Sequence, residues 1–212
     1  MSHFLLALSL TLAADDELAK ALRPVIAAES YSFTVKDGPG AEVEGTFQKD
    51  SPLHVRADRI EFFRQGDALV YRQGDAWQRT RTGTLSDPLP ILAASARVKA
   101  VRPPHEELAK LSAGMTDVRK TAGTDGTTYT GILPEKVAKE LARSEDRDLA
   151  RGGSATVRVN AGGRLTGYEV SIQVKGRRGD ADVDGTVTRT VTVKDVGTAR
   201  VEVPAAAKKA LE

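Results

Sequence analysis

The feature that most constrains this chain is a pair of long segments near its C-terminus in which apolar and polar residues alternate. The apolar positions of the first segment are Tyr168, Val170, Ile172 and Val174. Those of the second are Val183, Val187, Val191 and Val193. A period of two over stretches this long predicts antiparallel strands with one buried face and one solvated face. The apolar face of such a curved sheet has to be covered, and we expect function to lie beneath the cover.

An earlier block of the chain predicts further strands. The predicted strands are 31–35, 42–47, 53–57, 60–63, 69–71 and a short strand that begins at Trp77. Two Gly-Asp pairs, at 66–67 and 74–75, are typical of hairpin turns between strands. Aromatic residues cluster in this block. They are either ordinary core or the lining of a hydrophobic cavity.

Helices are predicted between and around the strand blocks. Residues 15–26 have helical spacing of apolar residues, although Pro24 is expected to kink or end that helix. The apolar segment 88–101 and a helix that carries Leu108 and Leu111 are the natural cover for the sheet. Further strands are predicted at 127–133, 155–160, 165–175, 183–194 and 199–203, with short helices that begin at Pro134 and Pro204. Clustered strands predict an α+β antiparallel fold, with residues 15–212 as a single domain.

The N-terminus carries an apolar run of about ten residues, from Phe4 to Ala13. This run is shorter than the roughly 20 residues of a membrane-spanning helix. Small residues follow it, so we expect residues 1–14 to be a signal peptide and the protein to be periplasmic or secreted. The preceding Met1-Ser2-His3 has no Lys or Arg, which leaves a buried first helix as the alternative. The chain has no cysteine, which argues against a lipid anchor, disulfides and cysteine-based metal sites.

Composition and motifs give little sign of chemistry. Lys and Arg number 31 against 29 Asp and Glu, a net charge of +2 without a basic patch, so no nucleic-acid partner is predicted. Beyond the N-terminal run the histidines are His54 and His105, and neither lies in a catalytic motif. No phosphate-binding glycine loop occurs. We therefore expect a non-enzymatic protein without a cofactor; a cleft with converging Asp, Glu and His would argue for an enzyme.

The sharpest motif is Asp180-x-Asp182-x-Asp184-Gly185, which matches the opening of a calcium-binding EF-hand loop. The twelfth position of that loop would be Val191, where a Glu is needed, and the flanking segments are predicted strands. Acids at a hairpin tip also fit a solvated edge that discourages pairing with other sheets. We predict a turn and no metal site.

The strand layout resembles the lipoprotein-carrier superfamily typified by LolA and its LppX/LprG-like mycobacterial branch. The segments that carry the resemblance are 31–35, 44–47, 51–56, 66–77, 163–170 and 195–204. The resemblance implies a strongly curved antiparallel half-barrel with helices on its concave face, which holds a lipid acyl chain or a lipidated protein. The mycobacterial members are themselves lipidated, whereas this chain lacks the cysteine that this needs.

These expectations combine into one hypothesis: an envelope protein that binds or carries a lipid or lipoprotein acyl chain in a hydrophobic cavity. A monomer is expected, with an envelope protein as a further possible partner. The predicted cavity lining is Tyr31, Phe33, Val43, Phe47, Val55, Phe62, Leu89, Ile91 and Leu92. The alternative is an envelope sensor or scaffold whose core is filled by its own side chains and which acts through protein contacts.

Overall fold

The computed structural model describes residues 3–38, 40, 42–80 and 88–212 of the chain, with side chains described from residue 14 onward. The chain divides into two compact units. The five-strand unit comprises residues 1–27 and 104–192, and the six-strand unit comprises residues 28–103 and 193–212.

The five-strand unit is an antiparallel sheet with three helices. Its strands follow the order β11-β10-β9-β8-β7. The strands are β7 (Thr116–Gly123), β8 (Gly126–Leu133), β9 (Ala150–Asn160), β10 (Leu165–Arg178) and β11 (Ala181–Lys194), of which the last two residues belong to the other unit. The helices are α1 (His3–Ile26), α3 (Pro104–Gly114) and α4 (Glu135–Leu141), and a 3-10 turn spans Arg147–Leu149.

The register of this sheet brings the alternating residues of the sequence into rows. Tyr129 lies opposite Val157, Val157 opposite Tyr168, and Tyr168 opposite Val191, so all four share one buried face. Helices α1 and α4 pack against this unit's strands, and α3 packs against both of these helices. Burial on one side only is what the period of two predicted for β10 and β11.

The six-strand unit is an antiparallel meander in the order β6-β5-β4-β3-β2-β1. Its strands are β1 (Ser30–Asp37), β2 (Glu42–Gln48), β3 (Leu53–Ala57), β4 (Ile60–Gln65), β5 (Ala68–Gln73) and β6 (Ala76–Arg79). Its helices are α2 (Leu89–Ala100) and α5 (Ala205–Leu211). Helix α2 packs against β3 and β4, and α5 packs against β4, β5 and β6.

Strand β4 has buried aromatic residues on both faces, because α2 packs against one side of it and α5 against the other. Phe63 lies opposite Val70, and both pack against Ala207 and Leu211 of α5. Phe62 is the neighbour of Phe63 in the chain and therefore points to the other face, where it is fully buried. This explains why the sequence has two consecutive phenylalanines where simple alternation would place a polar residue.

Several predicted element boundaries need correction. The strand predicted at 199–203 is wrong: these residues form no strand, and the backbone N–H of Val201 donates to the side-chain Oε1 of Gln48 at 2.8 Å. Strand β7 was not predicted at all. Strand β9 begins at Ala150, earlier than predicted, and helix α1 continues through Pro24 to end at Ile26.

Helix α1 contains both the apolar run and the predicted residue 15–26 helix in one continuous element. Its buried residues from position 14 onward are Ala14, Leu18, Leu22 and Val25, spaced as one helical face. In the part of the chain that the structure describes, no helix has the length and hydropathy needed to cross a membrane. The signal peptide and the single-domain organisation stay predictions.

Candidate functional site

The candidate site is the apolar face of the six-strand unit on which α2 packs. Strand pairing brings six of the nine predicted lining residues onto this face. Tyr31 lies opposite Phe47, Val35 opposite Val43, and Val55 opposite Phe62. Phe33 and Val55 both lie opposite Gly45, which joins the two groups. The six residues on this face are Tyr31, Phe33, Val43, Phe47, Val55 and Phe62.

Aromatic rings form much of this face. The rings of Tyr31 and Phe47 stack with centroids 5.0 Å apart, and Tyr31 meets Phe33 edge-on at 6.0 Å. The ring of Phe33 lies directly over Gly45, since a Cβ at that position would be only 2.1 Å from Phe33 Cζ. The absence of a side chain at Gly45 therefore leaves the space on the sheet that the Phe33 ring occupies. Phe47 is half-buried, whereas the other five predicted residues of the sheet are buried.

The three predicted residues of α2 have different environments. Ile91 is buried and Leu92 is half-buried. Leu89, the first residue of the helix, is 78% exposed. The reason is helical geometry: Ile91, Ala94, Ser95 and Val98 form the buried stripe, and Leu89 lies outside it. Leu89 is thus an exposed apolar side chain at the N-terminal end of the helix, and not part of the buried face.

Polar contacts hold α2 at its C-terminal end. Arg64 is on the same face as Phe62, and its Nη1 donates to the carbonyl oxygens of Val98, Lys99 and Val101 at 3.0, 3.2 and 2.8 Å. A guanidinium at a helix C-terminus satisfies carbonyls that lack intrahelical partners and complements the helix dipole. Arg97 forms an ion pair with Asp58, in the turn between β3 and β4.

Among the residues that the structure describes, no polar side-chain contact of this kind is seen at the N-terminal end of α2. Its N-cap residue is Pro88, and no side chain caps the helix there. The backbone N–H groups of Ile91 and Leu92 donate to the carbonyl of Pro88 at 2.9 and 3.1 Å. Helix α2 is therefore held to the sheet by directed polar contacts at one end and by apolar packing along its buried stripe.

The five-strand unit has a buried polar cluster that the sequence analysis did not find. Glu107 of α3 lies 2.8 Å from Arg189 of β11 and accepts a hydrogen bond of 2.8 Å from the Tyr168 hydroxyl. Arg189 also donates to the carbonyl of Leu141 at 3.0 Å, so it links β11 to both α3 and α4. The signal was available: Arg189 takes an apolar position in the alternating pattern of β11.

A second tie in the five-strand unit joins α1 to β7 and β8. Glu17 accepts hydrogen bonds from Lys120 and from the Tyr129 hydroxyl. The hydrogen bond from Lys120 lowers the pKa of Glu17 and raises the pKa of Lys120. Burial, together with the nearby Glu17 carboxylate, raises the pKa of Tyr129. These shifts keep the pair charged and the phenol protonated, which is a structural arrangement.

The other candidate residues have structural surroundings. His54 lies 3.0 Å from Glu61 and stacks on Phe63, while burial lowers the pKa of His105 at the start of α3. The acids of the calcium-like motif face basic residues across the β10–β11 hairpin: Asp182 is 3.7 Å from Arg177, and Asp184 is 3.5 Å from Lys175. Within the described residues no group of three or more acidic or His side chains is arranged to hold a metal ion.

Comparison with known proteins places the fold. No protein-family model matches the sequence, and no curated protein matches it. The crystal structure of the lipoprotein LppX from Mycobacterium tuberculosis matches 91% of this chain and 98% of its own, with a TM-score of 0.53 and 18% identity. This chain has the LppX-like fold. LprF from Mycobacterium bovis matches 92% of this chain and 98% of its own, with a TM-score of 0.57 and 10% identity.

The LppX-like fold confirms the α+β antiparallel fold class that the clustered strands predicted, and it confirms the resemblance that the strand layout suggested. At identities this low the likeness establishes the fold and carries no residue-level correspondence. The lining residues therefore stay a prediction that depends on the geometry of this chain alone.

Proposed function

We propose that this chain is a non-enzymatic envelope protein that binds a lipid acyl chain, free or attached to a protein, on the apolar face beneath α2. The observation that carries the proposal is the continuous row of aromatic and branched side chains across β1, β2, β3 and β4. The LppX-like fold supports it, since LppX is itself described as a lipoprotein.

Helix α2 is the element that would admit the ligand. Among the described residues its directed contacts lie at the C-terminal end, through Arg64 and Arg97, so we expect its N-terminal end to lift from the sheet. An acyl chain would lie against the covered side of α2, where Ile91 is buried and Leu92 is half-buried. Each buried methylene contributes about 0.8 kcal/mol, so a chain of about ten buried methylenes gives up to 8 kcal/mol against the cost of moving the helix.

The test is binding of a fluorescent fatty acid to the delipidated protein, followed by titration of two α2 variants. Leu92→Lys places a charge on the half-buried side of the helix, and Ala93→Lys places the same charge on its exposed side. We expect Leu92→Lys to weaken binding at least tenfold, because a charge in an apolar site is poorly solvated. Ala93→Lys should bind like the unmodified protein. Equal affinity in both variants, or no saturable binding, would contradict the proposal.

A second measurement follows the motion of α2. The chain has no cysteine, so a single introduced cysteine can carry an environment-sensitive fluorophore. A label at Leu89→Cys reports on the N-terminal end of α2, and a label at Lys99→Cys reports on the C-terminal end, which Arg64 contacts. Fatty acid should change the emission of the first label much more than that of the second. Equal responses would argue against opening from the N-terminal end.

The burial of the face favours a second candidate function, a sensor or scaffold whose core is self-filled. Tyr31, Val55 and Phe62 are fully buried by the protein's own atoms. In that case fatty acid would not bind. The N-terminal end of α2, with the exposed Leu89, would instead contact a protein partner. The fatty-acid titration separates the two functions.

A further inference from the structure

The outer face of the six-strand unit, opposite the apolar face, carries an open cleft of about 460 Å³. Its lining residues are Arg56, Arg59, Glu61, Arg72 and Gly74. Three of these five are arginines, and one is a carboxylate. The cleft is therefore unlike the acyl-chain site, and its chemistry suits a polar, negatively charged ligand.

Strand register explains how the arginines come together. Arg56 of β3 lies opposite Glu61 of β4, and Arg72 occupies the next place in the same row on β5. Glu44 of β2 lies opposite Arg56 at the other end of the row. A row of alternating signs stabilises a sheet modestly through cross-strand pairs. That structural role accounts for the row but not for the third arginine, which lies outside it.

The guanidinium groups of the row are oriented but incompletely hydrogen-bonded. Arg72 Nε donates to the carbonyl of Gly74 at 3.1 Å, which sets the direction of the group. Its terminal nitrogens are 3.7 Å from Glu61 and 3.9 Å from Asp75, beyond hydrogen-bond length. Arg56 is 3.9 Å from Glu44. Glu61 is engaged more closely by His54, at 3.0 Å. The arginine nitrogens therefore keep donors available for an oxyanion.

Arg59 adds a third guanidinium in an unusual way. The β3–β4 turn places Asp58 and Arg59 at φ +50° and +68°, a left-handed conformation that favours glycine. The next two hairpins of the same sheet use Gly66 and Gly74 for their left-handed positions. Among the residues that the structure describes, the Arg59 side chain has no ion pair or hydrogen bond, whereas Asp58 is engaged by Arg97. A strained turn that holds an unpaired arginine at a cleft is typical of a functional position.

From this juxtaposition we infer an oxyanion-binding site, formed by Arg56, Arg59 and Arg72, that takes a phosphate group. Arginine presents paired donors that match phosphate oxygens, and three such groups around one cleft supply the multidentate contact that phosphate needs. The phosphate belongs either to a soluble phosphorylated compound or to a phospholipid headgroup. The site lies on the face opposite the acyl-chain face, so it does not depend on the proposed function.

The experiment uses two probes on the full chain. Inorganic phosphate is titrated at constant ionic strength, with the backbone amide signals of Arg59, Arg72 and Gly74 followed by NMR. Vesicles of phosphatidylglycerol are compared with vesicles of phosphatidylcholine by sedimentation. The test variant is Arg59→Gly, which removes one guanidinium and suits the left-handed turn. The control variant is Arg164→Ala, which removes one exposed arginine from a turn of the five-strand unit.

We expect phosphate to cause saturable chemical-shift changes at the cleft. The affinity for phosphate should fall about tenfold in Arg59→Gly, because one charge-assisted hydrogen bond is lost. Arg164→Ala should bind like the unmodified protein. The thermal midpoint of Arg59→Gly should not fall, which separates lost binding from lost folding. Sedimentation with phosphatidylglycerol that depends on Arg59 would identify a headgroup; phosphate binding without sedimentation would identify a soluble compound. No saturable shift with either probe, or unchanged affinity in Arg59→Gly, would overturn the site.

Discussion

Replacing Arg64 tests whether polar contacts at one end of α2 hold that helix on the sheet. Arg64→Met keeps most of the apolar stem and removes the guanidinium. Nη1 has two hydrogens and three carbonyls within 3.2 Å, so two hydrogen bonds form at a time and the third is shared. Each charge-assisted bond contributes about 1.5 kcal/mol in a buried site, and less where solvent screens it.

Arg64 is half-buried, so we expect Arg64→Met to lower the free energy of unfolding by about 2 kcal/mol. With a urea dependence of about 3 kcal/mol per molar for a chain of this size, the unfolding midpoint should fall by about 0.7 M. Urea denaturation followed by circular dichroism measures this change. The matched control is Arg79→Met, an exposed arginine on β6 of the same unit, which should change stability by less than about 0.5 kcal/mol.

Hydrogen exchange shows where the stability is lost. Amides of α2 should exchange faster in Arg64→Met, whereas amides of α4, which belongs to the five-strand unit, should be unchanged. Fatty-acid affinity should rise or stay constant, because the helix becomes easier to lift. A loss of stability below about 0.5 kcal/mol with unchanged exchange in α2 would refute the role assigned to Arg64.

Three further predictions concern other positions. Gly45→Val should lower the free energy of unfolding by about 2–4 kcal/mol and change the near-ultraviolet circular dichroism, because the Phe33 ring has to leave its place over Gly45. Arg189→Met should lower the free energy of unfolding by about 3–5 kcal/mol, since it removes the cationic partner of the buried Glu107 carboxylate. The double variant Glu107→Leu/Arg189→Met should recover most of this loss, and additive losses would contradict the buried pair. Arg59→Gly should raise the thermal midpoint, by relief of about 1 kcal/mol of left-handed strain, and a lower midpoint would contradict that strain.

The apolar face of the six-strand unit was predictable because short hairpins set the register of its strands. Two-residue turns connect β3 to β4 and β4 to β5, so one assignment of inside and outside carries from strand to strand. Val55 and Phe62 consequently share a face, as the alternation predicted. Phe33 shares that face because it lies opposite Gly45, which also lies opposite Val55. The prediction differed at Leu89, because the helical stripe of α2 begins at Ile91 and leaves the first residue exposed.

Strand β7 was missed because it lies at an edge of its sheet. Val118 is its one buried residue, and the other side chains are exposed, so the segment has no alternation to detect. Polar and charged residues are common on edge strands, where they discourage pairing with other sheets. The opposite error occurred at 199–203, where alternating valines pack against the core around Phe63 without joining a strand.

The polar contacts were beyond sequence reasoning because their partners are distant in the chain. Arg64 meets the end of α2, and Arg189 meets α3 and α4, through folds of the backbone that no local pattern encodes. Apolar packing is non-directional. It explains why α2 covers the sheet, but it does not determine at which end the proposed opening of the helix would begin. The position of Arg64 and Arg97 at the C-terminal end supplies that direction. The proposed entry of a ligand at the N-terminal end of α2 therefore depends on charged residues that the hydrophobic pattern could not single out.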